Sequence, residues 1–493
     1  MYLPNPDLST RRAFLRRTGQ LAMTGTALPL ALNLAAMGEA AAFNAPGNDY
    51  KALVCVFLYG GNDYANTVVT YDNPSYDKYS AIRGGGAVRT AGGIALAQSD
   101  LTATLLAPTA APVDALGVAR QYALNPAMTG LAGLFNAGKA AVQLNVGPLV
   151  VPLTRAQYNS TDRVTYPRPP QLFSHNDQQS IWQSSSPEGS KVGWGGNIGD
   201  LAIQNNLNGN ATFICMSVTG NAVFLSGDTA LQYQLSTNGA IKITPATSAV
   251  YGSSAVSNAI NALIQQPRTQ RLENDYNAVT KRALTAEASV TAALAGAAPA
   301  TVFPTDGLGP QMKMVARLIK GQASLGARRQ VFLVSMGGFD LHDNLIRDHG
   351  GLLGKVSAAM TAFYNATVEM GVANQVTAFT ASDFGRTLAS NGDGSDHGWG
   401  GHHFVVGGAV KGQAFYGTPP PVSVGDTKDG AGNYGPADQW HVGQGRLLPS
   451  TSVDQYAATL ARWFGVADTE LAGILPNIGH FGDAGYPVNL AFM

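Results

Sequence analysis

Residues 51–59 read Lys-Ala-Leu-Val-Cys-Val-Phe-Leu-Tyr, a continuous apolar run that breaks at Gly60-Gly61-Asn62-Asp63. A short apolar run bounded by turn residues is typical of a strand buried on both faces, as in a parallel sheet. Similar runs follow at 140–146, 211–218, 330–336, 375–380 and 403–406. Helical patterns lie between several of them, at 126–137, 275–294, 311–319, 351–368 and 453–463. Strands that alternate with helices predict a layered α/β fold with a mostly parallel central sheet.

The composition favours a large globular enzyme-sized domain. The 493 residues are 45% hydrophobic and 13% charged, which is enough to bury a sizeable core. Basic and acidic residues balance at 31 each, so nothing indicates nucleic acid or an anionic membrane as a partner. Residues 219–306 are rich in Ser, Asn, Thr, Ala and Gly, and we interpret them as an inserted cap or a long excursion with one Ala-rich helix. Cys55 and Cys215 lie in apolar runs, which favours buried free thiols over a disulfide.

The amino-terminal segment has the pattern of an export signal. Paired Arg11 and Arg12 precede a mildly apolar stretch at 21–37 and the small residues Ala40-Ala41-Ala42. This pattern predicts a twin-arginine signal peptide over residues 1–42, a single domain over 43–493, and a periplasmic or secreted protein that meets the twin-arginine translocase during export. Cleavage would remove four basic and two acidic residues, leaving 27 and 29. No other stretch approaches the roughly 20 apolar residues of a membrane span.

Polar residues at strand ends are the candidate functional groups, because ligands of open α/β sheets bind where loops leave the carboxyl ends of strands. After the first run come Asp63, Asn66 and Thr67, next to a Gly-Gly turn that allows close backbone approach to an anion. Asp63 is a candidate metal ligand, and Asn66 and Thr67 are candidates for supporting it. An Asx-capped turn is the structural alternative.

A second candidate group is Phe173-Ser174-His175-Asn176-Asp177. Ser174 or Asn176 is a natural helix N-cap, and Asn176 has Gln179 three residues on, much as in a capping box. A hydroxyl at a helix N-terminus, flanked by His175 and Asp177, is also well placed for a nucleophile. Ser174 is therefore a candidate catalytic residue, with pure capping as the alternative.

The third group, Asp340 and His342, follows a predicted strand and a Gly-Gly turn. Two residues apart in an extended segment, these side chains point the same way. A carboxylate and an imidazole at that spacing suit a divalent metal such as zinc, manganese or iron.

The fourth group occupies one Gly-rich loop at 380–403, which is too rich in glycine for a helix. Arg386 in this loop is a candidate for bidentate binding of an oxyanion or for anchoring Asp383. The candidate metal ligands in the same loop are Asp383, Asp396, His397, His402 and His403. A solvated loop is the alternative, and His349, His441 and His480, which lack such company, are taken as structural or surface residues.

Five ordered motifs now resemble a known family. They are Leu-Val-Cys-Val-Phe-Leu-Tyr-Gly-Gly-Asn-Asp, Phe-Ser-His-Asn-Asp-Gln-Gln, Ser-Met-Gly-Gly-Phe-Asp-Leu-His, Ser-Asp-Phe-Gly-Arg-Thr and Asp-His-Gly-Trp-Gly. Together they resemble the bacterial family called domain of unknown function 1501, over nearly all of residues 50–465. A twin-arginine leader is typical of that family.

That family is similar in outline to the alkaline phosphatase and sulfatase superfamily, which implies a layered α/β sandwich with a two-metal site at strand ends. The resemblance implies Asp63 as the first-strand ligand, Ser174 as nucleophile with Thr67 in reserve, and His402 or His403 as the final ligand. Asp340 and His342 match an Asp/His pair that the superfamily spaces four apart.

One position departs from the superfamily pattern. Phe384 stands where a histidine should follow Asp383, unless Asp396-His397-Gly398 supplies the missing pair. The formylglycine motifs Cys-x-Pro-x-Arg and Ser-x-Pro-x-Arg are absent, which disfavours a formylglycine sulfatase.

The resulting hypothesis is an exported metal-dependent hydrolase of phosphate or sulfate esters, whose substrate is a small molecule or a glycan ester. The alternative is a non-catalytic exported protein that keeps the fold and binds a metal or a glycan.

Overall fold

The computed structural model describes residues 49–86, 89–483 and 485–493. The expected signal peptide at 1–42 and its cleavage site lie outside these residues. Across the described chain, no helix has both the length and the apolar character needed to cross a bilayer.

A mixed α/β fold is built around a mostly parallel sheet. The strands are β1 (Lys51–Leu58), β2 (Val68–Thr70), β3 (Tyr122–Leu124), β4 (Ala140–Gly147), β5 (Cys215–Ser217), β6 (Tyr233–Ser236), β7 (Gly239–Ala240), β8 (Arg329–Met336), β9 (Val376–Ser382), β10 (Gly401–Gly407), β11 (Phe415–Tyr416) and β12 (Thr451–Ser452). The central sheet has the order β11-β4-β10-β9-β1-β8-β5-β6-β7, with β12 beside β4, and β2 pairs with β3 separately.

The direction of the strands decides which residues meet. β1 runs parallel to both β8 and β9, so the carboxyl ends of these three strands share one edge of the sheet. β10 is antiparallel to β9 and to β4, so its amino end lies at that same edge. The residues that precede β10 therefore meet those that follow β1, β8 and β9.

The helices cover both faces of the sheet. They are α1 (Tyr64–Thr67), α2 (Asn73–Ile82), α3 (Thr129–Asn136), α4 (Arg155–Asn159), α5 (His175–Ser184), α6 (Trp194–Gln204), α7 (Thr244–Thr247), α8 (Ser254–Gln265), α9 (Arg271–Leu294), α10 (Gly309–Lys320), α11 (Leu345–Glu369), α12 (Val453–Phe464) and α13 (Asp468–Ile474). Alternate residues of β1 explain the layering, because Ala52, Val54 and Val56 pack with α3, α9, α10 and α11. Leu53 and Cys55 pack with α5, α6, α12 and α13 on the other face.

Two local expectations need correction. The apolar run at 211–218 forms a strand only over Cys215–Ser217, since Ala211–Phe213 makes a 3₁₀ turn first. Residues 219–306 contain two long helices, α8 and α9, where the sequence indicated one. The same segment also contributes β6 and β7 to an edge of the central sheet. Cys55 and Cys215 are buried free thiols, as expected.

Candidate metal centre

Four side chains from three segments meet at the shared edge of the sheet. Asp340 and His342 follow β8, His397 precedes β10, and His175 is the first residue of α5. One ligand atom from each of His175, Asp340 and His397 lies within 4.8 Å of the other two. His342 lies beside this group, where its Nε2 contacts Asp340 Oδ1 and His397 Nε2, and we call the four residues the histidine–aspartate cluster.

Glycines allow the loops to approach this closely. Gly60, two residues after the end of β1, has φ +115°, and a Cβ there would stand 2.4 Å from the backbone nitrogen of Asp340. A Cβ on Gly394 would stand 2.3 Å from the carbonyl group of His342. A side chain at either position would push the loops apart, which is the physical reason for glycine there.

In the histidine–aspartate cluster, three imidazole Nε2 atoms point at one carboxylate. His175 Nε2 is 3.3 Å from Asp340 Oδ2, while His342 Nε2 and His397 Nε2 are 3.1 and 3.2 Å from Asp340 Oδ1. The Nε2 atoms of His342 and His397 are 3.0 Å apart. The side chain of Asp340 is 44% exposed, so the cluster opens to solvent.

The second nitrogen of each imidazole is held by an acceptor. His175 Nδ1 lies 2.6 Å from Asp383 Oδ2, and His342 Nδ1 lies 3.2 Å from Asp396 Oδ1. His397 Nδ1 lies 2.7 Å from the carbonyl oxygen of Phe173. Each Nδ1 is therefore the donor, and in the neutral imidazole each Nε2 keeps its lone pair.

The electrostatics differ between the imidazoles of the cluster, since the pKa of His175 is shifted toward the charged form and that of His397 toward the neutral form. The hydrogen bond from His175 to Asp383 raises the pKa of His175. Burial alone would raise the pKa of Asp340, but the hydrogen bond and charge of Arg386, with His175 and His342, lower it overall. Burial lowers the pKa of His397, which favours its neutral form.

The donor set fits a divalent cation. Three imidazole lone pairs and a carboxylate facing one another repel unless a proton or a metal ion lies between them. Imidazole and carboxylate ligands suit zinc, manganese and iron, and a hydrogen-bond acceptor behind each imidazole is the usual second sphere of such sites.

Asp383 supports the cluster from behind and is not one of its members. It is fully buried, and its Oδ2 accepts hydrogen bonds from Gly60 N and from Gln179 Nε2 at 3.1 and 2.8 Å, besides facing His175. The expected role of Asp383 as a direct ligand is corrected to one of orienting His175.

Arg386 also differs from expectation. Its Nη1 donates to Gly60 O and to Asp340 Oδ1 at 3.1 and 2.5 Å, and its Nη2 donates to Ser395 O. The residue is fully buried. Because these donors are used within the protein, Arg386 fixes Asp340 and is not placed to hold an oxyanion of a substrate.

Comparison with known proteins identifies a family but no activity. The family model described as protein of unknown function (DUF1501) matches residues 50–434. The chain belongs to this family. No curated protein matches the sequence.

Two solved structures show a distant likeness. A crystal structure of Ps i-CgsB in complex with k-i-k-neocarrahexaose is 8% identical with a TM-score of 0.32, and it covers 87% of this chain and 77% of that chain. A second crystal structure of Ps i-CgsB is 9% identical with a TM-score of 0.31, and the match again covers 87% of this chain and 77% of that chain.

In this DUF1501 protein, Asp63 is closed off from the cluster. Both of its oxygens meet Arg83, and they also accept hydrogen bonds from Asn66 N and Ser395 Oγ, each at 2.9 Å. Its side chain is 2% exposed. The expectation that Asp63 is a first-strand ligand is therefore corrected, because the lone pairs of its carboxylate are already used.

Asn66 and Thr67 belong to the same buried network. The Asn66 side chain donates to Ile94 O and accepts from Tyr79 Oη, while the Thr67 hydroxyl donates to Asp63 O at 2.7 Å. Both residues are buried in α1. Thr67 is thus a structural residue and not a reserve nucleophile.

His402 and His403 lie inside β10 and away from the cluster. His402 Nδ1 accepts a hydrogen bond from Asn145 N and its ring meets Tyr64, whereas His403 packs against Trp182. Burial lowers the pKa of each to about 3. The sequence run at 403–406 misplaced the start of the strand, and two neighbouring strand residues must face opposite sides of a sheet. The expectation that His402 or His403 is the final ligand is therefore corrected, and His397 is the histidine of this loop that lies in the cluster.

Ser174 and Asp177 lie at the start of α5. Ser174 is the N-cap residue, and its hydroxyl donates to Asp177 Oδ2 at 3.0 Å instead of capping the backbone. Phe173 has φ +73°, a left-handed conformation that a bulky residue seldom adopts. This bend presents the Phe173 carbonyl to His397 and places His175 in the cluster.

Phe384 and Arg446 were missed as site residues. The Phe384 ring packs 4.9 Å from the ring of His175 and 4.7 Å from that of His397, so it forms a wall of the cluster where a histidine was expected. Arg446 Nε donates to His397 O at 2.7 Å. The one signal in the sequence that could have suggested Arg446 is its place at the end of a Gly-Gln-Gly turn.

Proposed function

We propose that this DUF1501 protein is a metal-dependent hydrolase of phosphate or sulfate esters. The observation that supports the proposal most strongly is the convergence of three Nε2 atoms on Asp340, each imidazole being held by an acceptor at Nδ1. His175, His342, His397 and Asp340 would hold one divalent metal, with zinc, manganese and iron as the candidates. When bound, the cation supplies Lewis acidity, which polarises an ester oxygen and makes water more acidic.

Arg386 and Asp383 have positioning roles in this proposal. Arg386 fixes one oxygen of Asp340, and its charge keeps that carboxylate ionised. Asp383 holds His175 in the tautomer whose Nε2 faces the cluster.

Ser174 is the proposed nucleophile. It stands at the N-terminus of the ten-residue helix α5, between Phe173, whose carbonyl contacts His397, and His175, which belongs to the cluster. Asp177 Oδ2 is 3.0 Å from the hydroxyl oxygen and would accept its proton as that oxygen bonds to phosphorus or sulfur. The bond to the ester's alcohol oxygen would break, and the leaving alkoxide would take a proton from water. A second water would then hydrolyse the seryl ester and restore the Ser174 hydroxyl. The helix dipole would favour the developing negative charge.

Arg446 takes the oxyanion-binding role that the sequence suggested for Arg386. Its guanidinium lies over the ring of Phe173 at 5.1 Å, and its Nε is fixed by His397 O. Within the described residues, no hydrogen bond or ion pair uses its two terminal nitrogens. A guanidinium fixed in this way presents a planar fork suited to phosphate or sulfate oxygens.

The proposal includes export through the twin-arginine translocase and a periplasmic or secreted location. The support is the Arg11-Arg12 pair, followed by an apolar stretch and small residues. Fractionation of cells that express the chain with both arginines changed to lysine tests this part, since the substituted protein should stay in the cytoplasm.

A second candidate is an exported protein that keeps the fold and binds a metal or a glycan without catalysis. It is favoured by the removal of Asp63, His402 and His403 from the site, which leaves donors for one metal instead of two. Metal content alone does not separate the two candidates, so an activity measurement is required.

Metal analysis of the purified chain tests the cluster first. We expect about one equivalent of zinc, manganese or iron, lost in His342→Ala and kept in the control His480→Ala, which removes an exposed histidine elsewhere. A screen of phosphomonoesters, phosphodiesters and sulfate esters then compares the intact protein with Ser174→Ala. Metal binding without turnover of any ester would favour the binding protein, and a metal-free protein would refute both metal-based hypotheses.

A further inference from the structure

A second cavity lies apart from the histidine–aspartate cluster, beside β4 and β12. Its volume is about 650 Å³, within the range of small-molecule sites. Its apolar wall includes Trp440, Leu448, Tyr486 and Leu490. None of the residues that line it contributes an atom to the cluster.

Arg155 lines this cavity and is only 4% exposed. Its Nε and Nη1 atoms are shielded from solvent and have no hydrogen-bond acceptor. The guanidinium lies 4.1 Å from the centroid of the Tyr434 ring, and within the described residues no carboxylate forms an ion pair with it. Arg155 is also a hydrogen-bonding neighbour of the Tyr434 hydroxyl, and it lowers the pKa of that phenol. Because Nε and Nη1 still lack acceptors and burial removes their hydration, the charge of Arg155 is incompletely compensated.

The surroundings hold Arg155 in place. Thr154 and Gln157 form a capping box around the start of α4, where Arg155 is the first residue. Gly425, with φ +78°, leaves room for the guanidinium, since a Cβ there would stand 3.2 Å from Nη1. The position of the cation is therefore built into the fold.

Ser450 supplies a second unused polar group in the same cavity. Its hydroxyl is shielded from solvent and has no hydrogen-bond partner. A largely apolar cavity with a few convergent polar groups is typical of a site for a small ligand. A positive charge and a hydroxyl together suit an oxyanion, and the aromatic walls suit an apolar or ring-shaped body.

We propose that this cavity is a binding site for a small organic anion, with its oxyanion at Arg155 and Ser450 and its ring between Trp440 and Tyr486. Carboxylates, sulfates and sulfonates share the required chemistry. The site does not depend on the proposed metal or on ester hydrolysis.

Calorimetric titration of the whole chain with benzenesulfonate and with benzoate tests the proposal. Benzamide, which keeps the ring without the charge, and inorganic sulfate, which keeps the charge without the ring, are the comparison ligands. We expect one benzenesulfonate or benzoate per chain, bound at least about tenfold more tightly than benzamide or sulfate. Arg155→Met should lose this preference, and Asp340→Ala should retain it.

Thr418→Trp protects the test against misfolding of the Arg155 variant. Thr418 is an exposed residue of the cavity lining, so a bulky side chain there should obstruct the cavity without removing a buried charge. We expect folded Thr418→Trp to bind benzenesulfonate at least about tenfold more weakly. Unchanged binding in this variant, equal binding of benzamide, or failure of both anions to bind at millimolar concentration would overturn the proposal.

Discussion

Asp63 and Asp340 both follow strands of the same parallel pair and both meet an arginine, yet their surroundings differ. Asp63 is 2% exposed and receives hydrogen bonds from Arg83, Asn66 and Ser395, all of which are donors. Asp340 is 44% exposed and faces the guanidinium of Arg386 and the Nε2 atoms of three imidazoles. A carboxylate surrounded by donors stabilises a fold, whereas one that faces several imidazole nitrogens leaves a place for a proton or a metal ion.

Among the substitutions, the largest loss of stability is expected at Asp63, the closed carboxylate. Asp63→Ala leaves Arg83 buried without its partner, which should lower the free energy of unfolding by about 3–5 kcal/mol. Urea unfolding measures the loss, with metal content determined on the fraction that remains folded. If Asp63→Ala loses metal but keeps its stability, Asp63 is a metal ligand and does not differ in role from Asp340.

Acidification should also lower the stability of the protein, through its buried histidines. Burial lowers the pKa of His349 and His441 to about 4, and of His402 and His403 to about 3, against about 6.5 in an unfolded chain. Between these pKa values the unfolded state binds more protons than the folded state. The contribution of the four histidines to stability is therefore complete above pH 6.5 and is lost as the pH decreases. Each histidine contributes up to about 1.4 kcal/mol per pH unit.

The measurement is the free energy of unfolding from pH 4.5 to 7.5. His403→Gln should reduce the slope by the share of one proton. A free energy that does not change below pH 6.5 would show that these histidines are already accessible to protons in the native state.

Asp383→Asn is expected to weaken metal binding by about 10–100-fold, because His175 loses the acceptor that fixes its tautomer. Competition with a chelator measures the change. Asp177→Asn is the matched control, since that carboxylate contacts Ser174 and no histidine of the cluster. Equal metal affinity in both variants would show that the support behind His175 is unimportant.

The smallest effect on stability should come from the open carboxylate. Asp340→Asn in metal-free protein should change the free energy of unfolding by less than about 1 kcal/mol, because the asparagine amide oxygen can still accept a hydrogen bond from Arg386. Thermal unfolding in chelator tests this. A loss as large as that of Asp63→Ala would mean that Asp340 also serves chiefly as a structural partner.

The sequence predicted the mixed α/β fold, the mostly parallel sheet and most strand positions, because apolar runs that end in Gly-Gly turns report burial directly. It also selected Asp340, His342, Asp396 and His397, which the structure brings together. It could not show that Arg83, 20 residues from Asp63, would close that carboxylate. Nor did it show that β10 begins at Gly401, which places His402 and His403 in the core.

The reversed direction of β10 has a consequence for folding order. Because β9 and β10 are antiparallel neighbours, the segment between Ser382 and Gly401 closes a short loop that already carries Asp383, Arg386 and His397. Joining β8 to β1 spans almost 280 residues and costs more chain entropy, so we expect it to form later. The histidine–aspartate cluster would then be complete only after β8 has joined β1, because Asp340 and His342 follow β8. If the cluster binds the proposed metal, the rate of metal uptake during refolding would measure this last long-range docking step.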